Sequence, residues 1–305
     1  MTMKRQKLHP EGPEFSQFGW GVWRALKSPG IDNPDGLARM ISSCLDIGIT
    51  TIDHADIYGG YQVEALFGKA LRQLPGQRSR IEIITKCGIC APFPTRPATT
   101  TKHYNSSADH IRASVDQSLK NLGTDYLDLL LIHRPDPLMD ADDTAAGLTE
   151  VVKAGKIRFV GVSNHTPTQF ALLQSRLPIP LVTNQIEFSA LHTQGMDDGT
   201  LDQAQQLRAR PMAWSPLGGG SLFAIAGEQA VRVRAALLEV GRRYGCDDIG
   251  QVALAWLLAH PSRPVPVIGT GKIERLADAI KAASLELDRQ DWFRILEASK
   301  GIPVP

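Results

Sequence analysis

Four residues of four chemical types stand at or just beyond the ends of three short apolar segments. Asp53 closes TTID, Tyr58 follows five residues on, Lys86 closes IEIITK and His133 closes YLDLLLIH. A phenol titrates at about 10 and is a poor acid at neutral pH. An ammonium beside it favours phenolate and lowers that value. A carboxylate beside the ammonium keeps the lysine charged and oriented, offsetting its desolvation. An imidazole can donate a hydrogen bond to a carbonyl oxygen or relay a proton. Together these groups make a general acid suited to protonating a carbonyl that is receiving a hydride. Singly, each has a structural reading: Asp53 as a helix N-cap, His133 as a satisfied core histidine. Their joint placement carries the functional one.

Further along, VGVSNH puts Ser163 and Asn164 at a segment end, and TNQIEF holds Gln185 inside a segment. MAWSPLGGGSLF offers the flat face of Trp214, then a Gly-rich turn from Ser215 to Ser221 whose N–H groups can cradle a diphosphate. VIGTGKIER is a Gly269-Thr270-Gly271 turn opening a helix that carries Lys272 and Arg275. A helix start plus two cations is an anion site, and the arginine fork suits bidentate phosphate contact. Diphosphate-type and phosphate-type sites in succession point to one long nucleotide phosphate ligand.

These residues must be positioned by regular elements. Eight β-branched or apolar runs lack the polar alternation of a half-exposed sheet: Gln17–Gly21, Ile49–Asp53, Ile81–Lys86, Leu127–His133, Phe159–Ser163, Val182–Glu187, Met212–Ser215 and Val265–Ile268. Amphipathic helical patterns lie between them, from Asn33-Pro34 to Gly48 and then over Gln62–Leu74, Ser107–Leu122, Asp142–Ala154, Pro167–Leu177, Asp198–Arg208, Val231–Tyr244 and Lys272–Ala283. Gly48, Gly76, Gly123, Gly155 and Gly245 stand just past helix ends. Alternating strands and helices imply parallel βαβ units. Ile249–His260, before the last strand, and Asp288–Ser299, after the last helix, break the alternation. No linker divides the chain. The expected fold is α/β, a single (β/α)8 TIM barrel over residues 1–305 with two extra helices, one before strand eight and one at the C-terminus. Chemistry in such a barrel sits at the C-terminal strand ends. The irregular stretch Cys87–Ser106 reads as a lid over the site.

The net charge of +1, from 33 basic and 32 acidic residues, supplies no excess for neutralising nucleic acid. A hydrophobic share of 43% argues against disorder. No apolar run is long enough for a membrane span, and no apolar stretch follows the basic N-terminus, so a cytoplasmic location without a secretory signal is expected. Four cysteines do not make a disulfide scaffold. Cys87 and Cys90 form a C-x-x-C pair that opens a Pro-rich loop, a context for two ordinary thiols. Cys44 and Cys246 lack zinc-ligand spacing, and no metal is expected. There is no G-x-G-x-x-G, P-loop or Tyr-x-x-x-Lys pattern. The absence of a heptad seam points to a monomer or weak dimer.

The chain resembles the aldo-keto reductases, through DHADIY, ITK, LLLIHRPDP, GVSNH, NQIEF, SPLGGG and IGTGKIER in that order, and GWGVW near the N-terminus. The likeness runs from about Gly19 to about Lys281. It implies an NADPH-dependent reductase of aldehydes or ketones on a (β/α)8 barrel. On it, Tyr58 is the general acid, Lys86 lowers its pKa, Asp53 pairs with Lys86 and His133 orients the carbonyl. Ser163, Asn164 and Gln185 hold the nicotinamide carboxamide and Trp214 stacks on its ring. Ser215, Pro216, Leu217, Gly218, Gly220 and Ser221 contact the pyrophosphate. Gly269, Thr270, Lys272 and Arg275 serve the 2′-phosphate, favouring NADPH over NADH. Gly21, Val22 and Trp23 complete the cofactor set, with Val22 where the family has Thr. Ala279 replaces the family's usual Asn, leaving Asp278 as an adenine contact. Substrate choice falls to Trp20, Trp23, the Cys87–Ser106 loop and Leu222-Phe223, since only Gly301–Pro305 follow the last helix. The resemblance also admits another class, a cofactor-binding regulatory subunit with little or no turnover. A third reading, a metal-dependent barrel hydrolase, lacks clustered His and Asp at strand ends.

Overall fold

Each of the eight apolar segments forms a strand, and the strands pair in chain order into a closed parallel barrel. The computed structural model describes residues 3–224 and 227–305. The barrel strands are β1 (Gly19–Gly21), β2 (Thr51–Asp53), β3 (Glu82–Cys87), β4 (Leu127–Ile132), β5 (Ile157–Ser163), β6 (Leu181–Glu187), β7 (Met212–Trp214) and β8 (Val265–Ile268). Val267 opposite Gly19 and Ile268 opposite Trp20 close the ring between β8 and β1.

The helices are α1 (Pro34–Asp46), α2 (Val63–Leu71), α3 (Ala108–Leu122), α4 (Ala141–Lys153), α5 (Pro167–Gln174), α6 (Thr200–Gln206), α7 (Glu228–Arg243), α8 (Ile249–Leu258), α9 (Ile273–Ala279) and α10 (Arg289–Lys300). Their starts follow local chemistry. The Asn33 side chain accepts from the Gly36 N–H at the start of α1, and a Thr166–Gln169 capping box opens α5. All five glycines expected past helix ends have positive φ. The two extra helices fall where expected, as α8 and α10. They are joined through stacked Trp256 and Trp292, each indole N–H donating to the other residue's carbonyl at 3.0 and 2.9 Å.

The barrel interior is apolar below and polar above. Ile84, Leu129, Leu131, Val182, Met212, Val265 and Val267 cluster with Leu8 and Phe15 of an N-terminal hairpin, Arg5–Lys7 paired with Glu14–Ser16. Its three-residue strands are too short to read by alternation. The hairpin is tied on by the Arg210 N–H, which donates to the Leu8 carbonyl at 2.6 Å. The stretch Cys87–Ser106 also holds more order than expected: Ile89–Cys90 pairs antiparallel with His103–Tyr104. This loop is fastened to the segment after β2. Tyr61 Oη donates to the Ile89 carbonyl at 2.9 Å, and Thr95 Oγ1 donates to the Gly60 carbonyl at 2.8 Å.

At the other end of the barrel, buried Asp128 near the start of β4 accepts from Arg78 Nη2 at 2.9 Å, Arg158 Nη1 at 3.0 Å and the Ile83 N–H at 2.9 Å. The same two guanidinium groups sandwich Tyr126 at 3.8 and 3.9 Å from its ring centroid. Asp128→Ala leaves the Ile83 N–H without its acceptor and the half-buried Arg78 without its carboxylate, although Arg78 keeps its bonds to Thr124 and to the Ile81 and Tyr126 carbonyls. The expected loss is about 3 kcal/mol, or roughly 10 °C in melting temperature. A melting temperature within about 2 °C of wild type would show that this cluster does not hold the barrel floor.

Candidate active site at the C-terminal mouth of the barrel

The polar layer above the apolar interior centres on Lys86, which is 1% exposed at the inward-facing end of β3. Its ammonium donates to both Asp53 carboxylate oxygens at 2.8 Å, to the His54 carbonyl at 2.7 Å and to Tyr58 Oη at 3.2 Å. An ammonium has three donors and no acceptor. The carboxylate, the carbonyl and the phenol oxygen use all three. Tyr58 therefore accepts at its oxygen, and its own proton is free to point elsewhere. Asp53 is further held by Gln185 Nε2 at 2.8 Å, from the inner face of β6.

Burial alone pushes the Lys86 ammonium toward neutrality, but the Asp53 charge and the bonds to Asp53 and Tyr58 outweigh it, so its pKa lies above the ordinary lysine value. Tyr58 goes the other way from expectation. Burial, the largest influence, raises its phenol above the ordinary value despite the opposing Lys86 charge. Lys86 thus moderates the phenol and does not bring it below 10. His133 stands edge-on to Tyr58, ring centroids 6.1 Å apart. Burial first, then the charges of Lys86, Arg134 and Lys102, hold its pKa well below the ordinary 6.5. It is a neutral imidazole near pH 7, which makes it a hydrogen-bonding group. Its Nδ1 is buried without a partner.

The neighbouring strand ends are bound to one another. Ser163 Oγ donates to the Gln185 carbonyl at 2.8 Å. Asn164 Nδ2 donates to Ser163 Oγ at 2.8 Å and to the His133 carbonyl at 3.3 Å, while Asn164 Oδ1 accepts from the Trp214 indole at 2.9 Å. The half-buried Trp214 ring is thereby anchored by its edge. Asn164 and Ser215 both sit at positive φ, +60° and +49°. Such backbone costs about 1–3 kcal/mol per residue and clusters at ligand sites. In the Gly-rich turn, the Gly218 and Gly220 N–H groups donate within the turn, to Ser215 and Leu217 carbonyls at 2.8 and 3.2 Å, so these two are not free as expected. Glycine suits position 218, where φ is +61° and a Cβ would press to 2.7 Å from the Leu191 side-chain end, Cδ1. Arg24, after β1, reaches across to the Gly219 carbonyl at 2.9 Å. At the end of β8 the Lys272 N–H donates to Thr270 Oγ1 at 3.2 Å, and Lys272 and Arg275 are exposed. Among the described residues neither has an ion-pair partner. Asp278 pairs with Lys281 at 2.7 Å.

Gly21, Val22 and Gly269 line up at the ends of β1 and β8, with Val22 buried, Trp23 exposed and the Val22 N–H donating to the Asp53 carbonyl at 3.1 Å. Pro216 is buried, Leu217 is half-buried and Ser221 is exposed beside the Gly-rich turn. Two residues expected to select substrate are packed into apolar clusters away from solvent. Trp20 is fully buried, its indole donating to the Thr270 carbonyl at 2.8 Å, and Leu222 is buried, leaving Phe223 exposed. The His54 carbonyl escaped sequence reasoning because a backbone oxygen carries no residue signal. Arg134 escaped it as well. Its place beside His133 in HRPD was the available signal.

All four cysteines are free. Burial raises the Cys87 thiol well above its ordinary value and Cys90 less so, which makes both poor nucleophiles. Among the described residues no grouping of three or more His, Cys, Asp or Glu is placed to hold a metal, and no helix is long and apolar enough to cross a membrane.

A closed parallel barrel with an Asp–Lys–Tyr–His cluster at its C-terminal mouth is the architecture of an oxidoreductase class, and the chain belongs to the aldo/keto reductase family, whose model matches residues 17–300. It is 52% identical over 303 residues to the oxidoreductase YdhF of Escherichia coli strain K12, covering 99% of this chain and 100% of that one. It is 48% identical over 288 residues to a 6-dehydroglucose reductase of Agrobacterium fabrum, covering 94% and 95%. A crystal structure of a thermostable aldo-keto reductase bound to the inhibitor epalrestat superposes with a TM-score of 0.81 at 28% identity, covering 97% of this chain and 100% of that one.

Proposed function

We propose that this oxidoreductase reduces an aldehyde or ketone to the alcohol with NADPH, with Tyr58 as the general acid. The observation that carries this reading is the Lys86 ammonium. Having no acceptor of its own, it fixes the Tyr58 oxygen as acceptor and leaves the phenol proton for a substrate. Asp53, Gln185 and the His54 carbonyl hold that ammonium in place. His133, neutral, donates from its second ring nitrogen to the carbonyl oxygen. A buried lone pair without a partner costs less than a buried N–H, which puts the ring proton on Nε2. The carbonyl oxygen then lies between two donors, as developing negative charge requires.

The donor set fits the cofactor. The anchored Trp214 face suits a nicotinamide ring, and exposed Lys272 and Arg275, without ion-pair partners among the described residues, suit a phosphate of about −2 charge. When bound, the nicotinamide supplies a hydride to the carbonyl carbon. The chain's own residues orient that carbonyl and move the proton from Tyr58 to its oxygen.

Arg275→Ala is expected to weaken NADPH binding about 10- to 100-fold, the range of one charge-assisted pair. NADH binding should change less than about twofold. Calorimetric titration with both nucleotides checks this, and equal loss for the two would remove the 2′-phosphate assignment. The relatives named 6-dehydroglucose reductase make sugar aldehydes the first substrates to try.

A further inference from the structure

Arg134 follows His133 directly, and its guanidinium carbon lies over the Trp214 ring, 5.7 Å from the centroid. The side chain is half-buried, and among the described residues no carboxylate is within ion-pair distance of it. The nearby acid is already committed: Asp136 accepts from the Ser106 N–H and Oγ at 3.1 and 3.2 Å and from the Leu138 N–H at 2.9 Å. Glu187, at the end of β6, faces His192 at 3.8 Å. The charge of Arg134 is felt at both Tyr58 and His133, and that of exposed Lys102, on the loop after β3, at His133. A partly desolvated arginine without a counter-ion is uncommon, since its fork demands acceptors. Here it stands beside the groups that would hold a carbonyl oxygen.

We infer that Arg134 is a specificity residue that binds a carboxylate carried by the carbonyl substrate, so that the preferred substrates are oxo acids. This rests on the carbonyl-reductase reading and names its substrate class. One guanidinium balances the single charge of a carboxylate and matches its two oxygens in a planar fork. A phosphate ester carries about −2 and calls for a second cation; Lys102, the other cation felt at His133, is exposed to solvent, whereas Arg134 is half-buried. Sugar hydroxyls can use the same donors, but neutral acceptors bind roughly half as strongly.

The test compares benzaldehyde with its 2-, 3- and 4-carboxy derivatives in wild type, Arg134→Met and Arg134→Lys, with NADPH. Methionine keeps the length and the packing on Trp214 without charge. In wild type, kcat/KM for the best carboxybenzaldehyde is expected to exceed that for benzaldehyde. Arg134→Met should lower that ratio about 10- to 100-fold, through KM, and Arg134→Lys should restore part of it. A ratio unchanged in Arg134→Met overturns the inference, as does a variant that lowers both substrates equally. Benzoate binding by calorimetry, with benzyl alcohol as the neutral control, gives a readout free of turnover. Benzoate binding that is lost in Arg134→Met supports the carboxylate site even if no aldehyde is reduced, in which case the reductase reading falls. Benzaldehyde turnover with benzoate binding that ignores Arg134 overturns the site and leaves the reductase reading standing.

Discussion

Tyr58→Phe is expected to lower kcat for carbonyl reduction about a thousandfold, within the roughly 10²–10⁴ range of a positioned general acid, while NADPH affinity changes less than about twofold. The phenyl ring keeps its packing edge-on to His133 and loses only the oxygen that accepts from Lys86. The pH dependence follows from the same oxygen. The acid must be protonated to act, and burial holds the phenol above its ordinary 10, so activity is present below that pKa and lost above it. His133 is held well below 6.5 and adds no acid-side fall near that pH. A kcat/KM profile that is flat from about pH 6 to about pH 9 and then declines is therefore expected. An inflection near neutrality that disappears in Tyr58→Phe would mean that Lys86 outweighs burial after all. Near-normal reduction by the variant would remove Tyr58 as the acid.

Lys86→Met is expected to damage both stability and turnover. It leaves the Asp53 carboxylate, 2% exposed, with Gln185 as its remaining side-chain donor. Breaking one side of a buried ion pair costs about 3–5 kcal/mol, or roughly 10 °C in a chain of this size. Reduction should fall by at least about a hundredfold, because the phenol loses the donor that fixes its orientation. Asp53→Asn added to Lys86→Met removes the stranded charge and should recover most of the melting temperature without recovering activity. That separation distinguishes a catalytic arrangement from a merely structural pair. A Lys86→Met protein with unchanged melting temperature would mean that the carboxylate is solvated or protonated in the fold.

Much of this was legible in the sequence for identifiable reasons. Strands buried on both faces lack regular polar alternation, so LDLLLI and IEIIT stand out despite Asp128 and Glu82 near their starts, and place Lys86 and His133 at their ends. Helix starts were legible through Asn33-Pro34 and the Thr166–Gln169 box, because capping is local chemistry. The N-terminal hairpin was not, since three-residue strands with one or two buried positions carry no period. Trp20 read as a substrate contact because an aromatic in a glycine-rich motif gives no hint of which way it turns. In the fold it turns away from the barrel axis, into the layer between strands and helices, where its indole donates to the Thr270 carbonyl. The sign of the Tyr58 shift was also beyond the sequence, because residue types show that an ammonium is near but not how deeply the phenol is buried. Gln185 is expected at a nicotinamide carboxamide; that its Nε2 also bonds Asp53, a pairing across 132 residues that only the closed barrel creates, was beyond the sequence.

The most direct measurement follows a label. NADPH carrying deuterium on the transferred position at C4 is incubated with the protein and a panel of aldehydes, oxo acids and sugar aldehydes, and the alcohols are analysed by mass and NMR. The expected result is one deuterium on the carbinol carbon of at least one product, in amount equal to the NADPH oxidised, and its loss in Tyr58→Phe. NADPH that binds tightly but delivers deuterium to no carbonyl would contradict the reductase reading and favour a cofactor-binding regulatory subunit.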